Sequence, residues 1–526
     1  MEEKTKTKGG RTAPIDKSIF WIGFILIAAI CVILAIFSEE AKGVLGKIFN
    51  FTTNQMGFTY IWFVIFMAGI LVWLAFGKYG KVRMGGPDAR PEFSRLSWIA
   101  MFFCSGIGTS LLYWATIEWV YYYQGPPFGV APGSLEAADW GAMYGIYHWG
   151  IMGWVVYCIP ALPIGYAFYN RKAKALRLSN ACAGVIGDKA VKGPLGKVID
   201  ILFIIGLIGG TGTSLGLGTP MLAEAISRLF RIEHTFLIDI IIVCIWTGIF
   251  TTSAALGLRK GIKRLSDFNV WVAFILCGLI IIVGPTRFII ETFTNSLGLM
   301  FNNFIKMSFY MDPIGKSSFP QWWTIFYWAW WVAYGPYMGL FITKVSRGRT
   351  FREIIIAVCT AGPLGCALFF AVFGNSALHM ELNGIFPVVQ TMNEVGAPAA
   401  IVGSIMALPI AIVILILFCI LGFVYSATTV DSSAYTIASV ASKDLKPDQE
   451  PRGWNRVFWA LALGGLALVL MNIGGLQALQ TSSLIVALPL MIIIVISVFS
   501  LFKWLKQDKA EVTQVTPKAD LAKKSE

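Results

Sequence analysis

Residues 326–339 read FYWAWWVAYGPYMG, and no charged side chain occurs from Gln321 to Thr343. A helix needs about 20 apolar residues to cross a hydrocarbon core about 30 Å thick, so this stretch is long enough to span lipid. Trp322, Trp323, Phe326, Tyr327, Trp328, Trp330, Trp331, Tyr334 and Tyr337 crowd into it. Trp and Tyr gather where membrane meets water, which accounts for Trp322 and Trp323 near the outer start. It does not account for Trp330, Trp331 and Tyr334, which lie about two turns or more deeper. Trp330 and Tyr334 are four apart and share a helix face; Trp331 and Tyr334, three apart, are neighbours on it.

The same kind of run recurs along the chain. Ile19 to Phe37 and Tyr60 to Phe76 carry no charge, and 56% of the 526 residues are hydrophobic against 13% charged. A soluble protein usually carries about a quarter charged residues. We read twelve spans, near 18–38, 58–77, 96–120, 142–169, 196–225, 235–256, 267–292, 321–344, 353–374, 399–440, 455–474 and 479–504. The fifth and tenth exceed one crossing, so each continues as helix beyond the lipid or contains a break. The expected class is an all-α polytopic membrane protein. A basic segment (1–17) precedes a transporter domain (18–504), and a charged tail (505–526) follows. The first run is too long for a secretion signal and lacks a small-residue cleavage site.

The formal charge of +13 suggests nucleic acid until its placement is read. Lys and Arg cluster before the first span and after the second, fourth, sixth, eighth and tenth. The loop at 125–141 has Glu136 and Asp139 and no basic residue. Positive charge stays on the cytoplasmic side, so the alternation predicts both termini in the cytoplasm and no nucleic-acid partner. Eight of nine cysteines lie inside apolar runs, where Cys behaves as a small hydrophobe. No HExxH, Cys/His cluster or phosphate-binding loop occurs, which argues against a metal enzyme or an ATP-driven pump. A selectivity filter or charged ring of a channel is also missing.

Two spans are interrupted by glycine beside aromatics: the third, CSGIGTSLLYWATIEWVYYY (104–123), and the eighth. Interrupted helices at matching places in two halves point to a midplane transport site, although glycine also serves close helix packing. Gly335-Pro336 reads as the stronger break, because proline removes a backbone donor and clashes with the preceding turn. A buried aromatic wall suits a trimethylammonium group, which has no N–H to donate and is stabilised by π faces at about 0.5–2 kcal/mol per desolvated contact. An ordinary amine would recruit carboxylates. Glu118, Asp267 and Asp431 are carboxylates within the spans, each expensive to bury and so a functional suspect, but none lies within 330–334. Aromatics also fill apolar interiors, and an aromatic scaffold without transport, or a lipid-modifying membrane enzyme, is the competing class.

FYWAWWVAYGPYMGLF followed by ITKVSRGRT resembles the signature of the betaine/carnitine/choline transporter family. So do PPFG (126–129), YHWGIMGW (147–154), GTSLGLGTP (212–220) and FPQWWTIFYWAWW (319–331), in family order, with the likeness running from about residue 20 to 505. The resemblance implies twelve helices, with helices 3–7 and 8–12 as a LeuT-type inverted repeat. It further implies a homotrimer in a bacterial or archaeal inner membrane, and no enzymatic activity or cofactor. Residue by residue, it implies a substrate cage of Trp149, Trp330, Trp331 and Tyr334. Tyr121 matches a third-helix tyrosine of the carnitine exchangers, and Trp323 an outer substrate position. Met338 matches a methionine that exchangers place beside the substrate carboxylate.

The chain mixes two branches. TIE (116–118), YYY (121–123) and the glycine-rich fifth span resemble the carnitine/γ-butyrobetaine exchangers, whose seventh-span arginine is replaced here by Asn269. Gly106-Ile107-Gly108 and the paired hydroxyls Thr428 and Thr429 resemble sodium-coupled betaine carriers. That resemblance implies a sodium site from carbonyls of Cys104, Ile107 and Tyr425 with Thr428 and Thr429. The expectation is secondary active transport of a quaternary-ammonium zwitterion with sodium-promoted uptake; the alternative is sodium-independent exchange.

Overall fold

The long apolar runs fold as helices because a backbone in lipid must satisfy its own hydrogen bonds. The computed structural model describes residues 13–36, 38–256, 261–443, 445, 449–473, 481 and 484–522. Among these there is no strand, only isolated bridges of Ile15 with Ser442 and Arg83 with Thr350. The main helices are α1 (Lys17–Ile36), α2 (Gly57–Phe76), α3 (Arg95–Ile107), α4 (Ser110–Gln124), α5 (Leu135–His148) and α6 (Ile151–Cys158). After them come α7 (Pro194–Phe230), α8 (Phe236–Leu256), α9 (Lys263–Val283), α10 (Thr286–Ser308) and α11 (Phe326–Val345). The last are α12 (Phe351–Phe369), α13 (Ala397–Met406), α14 (Ala411–Val440), α15 (Gly453–Ile473) and α16 (Ala487–Ala522).

Among the described residues, eight helical stretches are long and apolar enough to cross a membrane, and nine when the bent pair α3/α4 counts as one. On α2, Trp62, Phe66, Val72 and Phe76 are exposed while Tyr60, Val64, Leu71 and Leu74 are buried. Water would penalise such an apolar outer face; lipid does not. At the centre stands α11. All twenty of its residues are buried, and it packs against α3, α6, α7 and α16.

The element boundaries agree with the sequence reading in part and differ in part. Of the two glycine-interrupted spans only the third is broken: α3 and α4 meet at 59° across Gly108-Thr109. Gly108 takes φ +57° and ψ −159°, a conformation that a Cβ would make costly. α11 instead runs unbroken through Gly335-Pro336. Its glycines serve packing: a Cβ on Gly335 would lie 3.1 Å from the Val156 carbonyl oxygen, and one on Gly339 would lie 2.8 Å from Pro160 Cβ. These glycines thus let α11 pack closely on its neighbours, and Pro336 is accommodated within a continuous helix. The seventh run stops at Val283, where Gly284-Pro285 ends α9, and α10 follows as a helix the sequence reading did not separate. The two over-long runs take the two expected courses: the tenth breaks into α13 and α14, and the fifth continues as the single 37-residue α7. Beyond residue 505 the charged tail continues as helix to Ala522.

SRGRT acts as a clip between two loops. Gly348 N–H donates to Met84 O (2.9 Å), Met84 N–H to Arg349 O (3.0 Å) and Phe351 N–H to Val82 O (2.9 Å). Gly348 has φ +79°, and its Cα lies so close to the Arg90 backbone that a Cβ would be 2.2 Å from Arg90 C. Thr350 then starts α12 with a capping box to Glu353.

Candidate functional site: an aromatic cage at the helix break

Trp330, Trp331 and Tyr334 project from α11 toward the junction of α5 and α6, and that junction presents Trp149. Trp149 is the C-cap of α5 (φ −93°, ψ 8°), so a bend rather than a helix face aims its ring inward. It stands edge-on to Trp330 (centroids 5.9 Å apart, 89°) and to Trp331 (5.7 Å, 77°), geometries favoured by the ring quadrupole. Tyr157 closes the wall at 4.3 Å from Trp331 and 6.0 Å from Tyr334. These five rings share one cavity with Gly106, Ile107, Ser110, Gly210 and Ser214, none of them charged. The space is about 10 Å³, room for about one water. The cage is therefore nearly shut.

Small residues admit the rings. A Cβ on Gly153 would lie 2.7 Å from Trp331 Cε2, and one on Gly210 would lie 2.5 Å from Tyr334 Cδ2. Opposite the aromatic wall, the N-terminus of α4 begins at Ser110, whose hydroxyl donates to Ser214 Oγ (2.7 Å). A helix N-terminus carries partial positive charge and free N–H groups. The cavity is therefore lined by an electron-rich aromatic wall and by the N-terminal end of a helix.

Behind the cage lies a buried carboxylate. Glu118, wholly buried, accepts from Trp149 Nε1–H (3.0 Å) and the Tyr327 hydroxyl (2.7 Å) on one oxygen and from the Tyr122 hydroxyl on the other. With its proton given to Glu118, Tyr122 can only accept from His148 Nδ1–H (2.9 Å). His148 Nε2 is then left to accept from Thr324 Oγ1–H (2.9 Å). Glu118 thus acts on the cage through Trp149, whose indole it orients. The sequence marked Glu118 as a costly buried carboxylate but could not show its partners. Tyr157 carried no mark, being one aromatic in an apolar run.

The other expected residues sort by distance from the cavity. Met338 does not line it but packs beneath the break, where a Cβ on Gly106 would meet its Cε at 2.8 Å. Tyr121 and Trp323 pack against each other with tilted rings (centroids 5.1 Å apart, 49°) outside the cage. Trp114 links them inward, 6.2 Å from Trp323 and 6.2 Å from Tyr327.

Of the expected sodium ligands, Cys104 and Ile107 lie in the last turn of α3, and Thr429 packs against Gly108 just beyond it. The last four carbonyls of a helix lack intrahelical donors. Here Tyr337 donates to Ser105 O (3.1 Å) and Tyr157 to Gly106 O (3.3 Å), so the tyrosines leave aside those of Cys104 and Ile107. Gly108 abuts Thr429, whose Oγ1 would be 2.5 Å from an added Cβ and is buried without a hydrogen bond. Thr428 differs: its hydroxyl bonds the Val424 carbonyl of its own helix (2.7 Å). Tyr425 is buried on the same helix. Asn269 on α9 is fully buried with both amide atoms unbonded.

The family model of BCCT, the betaine/carnitine/choline family transporters, matches residues 18–510. Among solved structures the chain is similar to a Na+-coupled sialic acid symporter in its substrate-bound outward-open state. Identity is 14%, the match covers 78% of this chain and 80% of that one, and the TM-score is 0.43.

Proposed function

The chain belongs to the betaine/carnitine/choline transporter family, a multi-pass membrane transporter and not an enzyme, and from that premise we propose that it carries a quaternary-ammonium zwitterion by alternating access. The observation that supports this is the composition of the cavity wall: four residues of the expected cage plus Tyr157, with no carboxylate among the lining side chains. A primary amine would leave its N–H donors unmet there, whereas a trimethylammonium needs only π faces. The substrate carboxylate would meet the N-terminus of α4 near Gly106 and Ser110. Because about 10 Å³ cannot hold such a head group, loading requires the α3/α4 break to move relative to α11.

On the same reading α1, α11 and α15 join the nine stretches above to make twelve crossings, with both termini cytoplasmic. The two five-helix blocks form an inverted repeat, and the molecule is a homotrimer in an inner membrane. One sodium ion would sit between the Cys104, Ile107 and Tyr425 carbonyls and Thr429. An unbonded hydroxyl facing the loose helix end supports this, since an unpaired polar group in an apolar interior is costly. The oxygens present fit a hard cation. Met338 under Gly106 supports the competing reading, sodium-independent exchange.

Counterflow in proteoliposomes tests the proposal. Labelled carnitine or glycine betaine should accumulate against unlabelled internal substrate, faster in sodium than in potassium. Absence of accumulation with any trimethylammonium zwitterion would overturn the substrate reading, and equal rates in both salts would restore the exchanger.

A further inference from the structure

At the end of the molecule opposite Trp323, a cleft of about 840 Å³ opens between the loop after residue 170, the start of α7 and the polar end of α16. Lys172, Lys174, Lys192, Lys197, Lys443 and Lys503 line it. Topology requires basic residues on the cytoplasmic side, but it does not require them to converge or to stay unpaired. The basic loops of the clip show the contrast. There Arg83 donates to Gly348 O, Arg349 to Phe93 O and Arg352 to Ala75 O, and Arg347 pairs with Glu92.

In the cleft and beside it, three carboxylates are already engaged. Arg177 holds Asp16 (3.1 Å), Arg171 holds Asp508 (2.7 Å), and Ser179 donates twice to Asp200 (2.9 and 3.1 Å). Asp188 alone remains as an exposed acid on the rim. Among the described residues no carboxylate pairs with Lys172, Lys174, Lys192, Lys443 or Lys503, and Lys197 reaches only the Ser18 hydroxyl (3.4 Å). Among the described residues, six ammonium groups therefore face one concavity lined by two carboxylates, Asp188 and the Arg177-held Asp16. Their mutual repulsion is relieved by an anion with several oxygens. Lysines act on phosphate as mobile point charges, and the volume suits a small ligand.

We propose that this cleft binds a phosphate-bearing anion. The ligand is either the headgroup of an anionic phospholipid, since the cleft sits where α7 and α16 leave the lipid, or a soluble phosphate compound. It does not depend on the substrate reading.

The test uses the full chain in phosphatidylcholine nanodiscs doped with phosphatidylglycerol. Retained lipid is counted by native mass spectrometry, and in a parallel arm detergent-solubilised protein is titrated with inorganic pyrophosphate by thermal shift. Lys172→Gln/Lys174→Gln/Lys443→Gln is compared with Lys78→Gln/Lys81→Gln/Lys316→Gln, which loses the same charge elsewhere. Each lysine near an anionic surface is worth about fivefold, so the cleft variant should lose at least about tenfold and the control variant under about twofold. Selective loss of phosphatidylglycerol identifies a lipid headgroup; selective loss of saturable pyrophosphate binding identifies a soluble anion. Equal losses in both variants, no loss in the cleft variant, or no binding of either probe overturns the proposal. A Lys192→Gln/Lys503→Gln protein repeats the comparison if the triple variant melts early.

Discussion

Trp331→Leu separates a π face from mere bulk better than any other change in the cage. The indole N–H of Trp331 is buried without a hydrogen bond, so replacing the ring breaks no polar contact. Trp149 offers no such isolation, because its N–H is held by Glu118 at 3.0 Å and removal would strip that carboxylate of a donor. What Trp331 contributes to a bound cation is one desolvated face, about 0.5–2 kcal/mol. Leucine supplies apolar volume without that face, so affinity should fall by about 1 kcal/mol, roughly fivefold. Phenylalanine keeps a smaller face and should lose less. The ring also packs within 2.7 Å of a Cβ placed on Gly153 and 4.3 Å from the Tyr157 centroid. Leucine therefore leaves a void and should lower the melting temperature, at a cost of about 2–4 kcal/mol. Binding is to be measured with labelled trimethylammonium substrate on protein shown to be folded, alongside competition by the neutral tert-butyl isostere. Unchanged affinity in folded Trp331→Leu, or equal competition by the isostere, would refute the cation–π reasoning.

Glu118→Gln turns an acceptor of three donors into a group that must itself donate, so Trp149 loses a charge-assisted bond worth about 1.5–3 kcal/mol. Substrate affinity should drop about tenfold or more in the same binding assay, and an unaltered Kd would remove Glu118 from the positioning of the cage. Gly210→Ala places a methyl 2.5 Å from the Tyr334 ring. Overpacking of this kind costs about 1–3 kcal/mol; uptake should fall sharply while insertion persists, and normal uptake would show that Tyr334 has room to retreat. For the ion, the two threonines should part company. Thr429→Ala should abolish stimulation of uptake by sodium, whereas Thr428→Ala, whose hydroxyl is already spent on Val424 O, should keep most of it. Equal effects of the two substitutions would place the ion elsewhere.

Much was readable from the sequence alone because hydrophobic length and charge placement are local properties. A charge-free run of twenty residues has few alternatives to a lipid-spanning helix, and the deep Trp330, Trp331 and Tyr334 share a face by helical spacing alone. Their assembly into a substrate cage with Trp149 is an expectation drawn from family likeness; in the fold these four side chains line one cavity. The failures were non-local. Whether glycine and proline break a helix depends on what packs against them. Gly335 and Gly339 lie against Val156 and Pro160 in a helix that runs unbroken, while Gly108 lies against Thr429 at a positive φ where the helix breaks. Tyr157 and the partners of Glu118 were invisible for the same reason: a side chain in an apolar run shows its direction only after the run is packed. The six lysines of the cleft come from four separate stretches of chain. In sequence each reads as ordinary cytoplasmic charge, and only folding leaves them facing one another with their nearby carboxylates already taken.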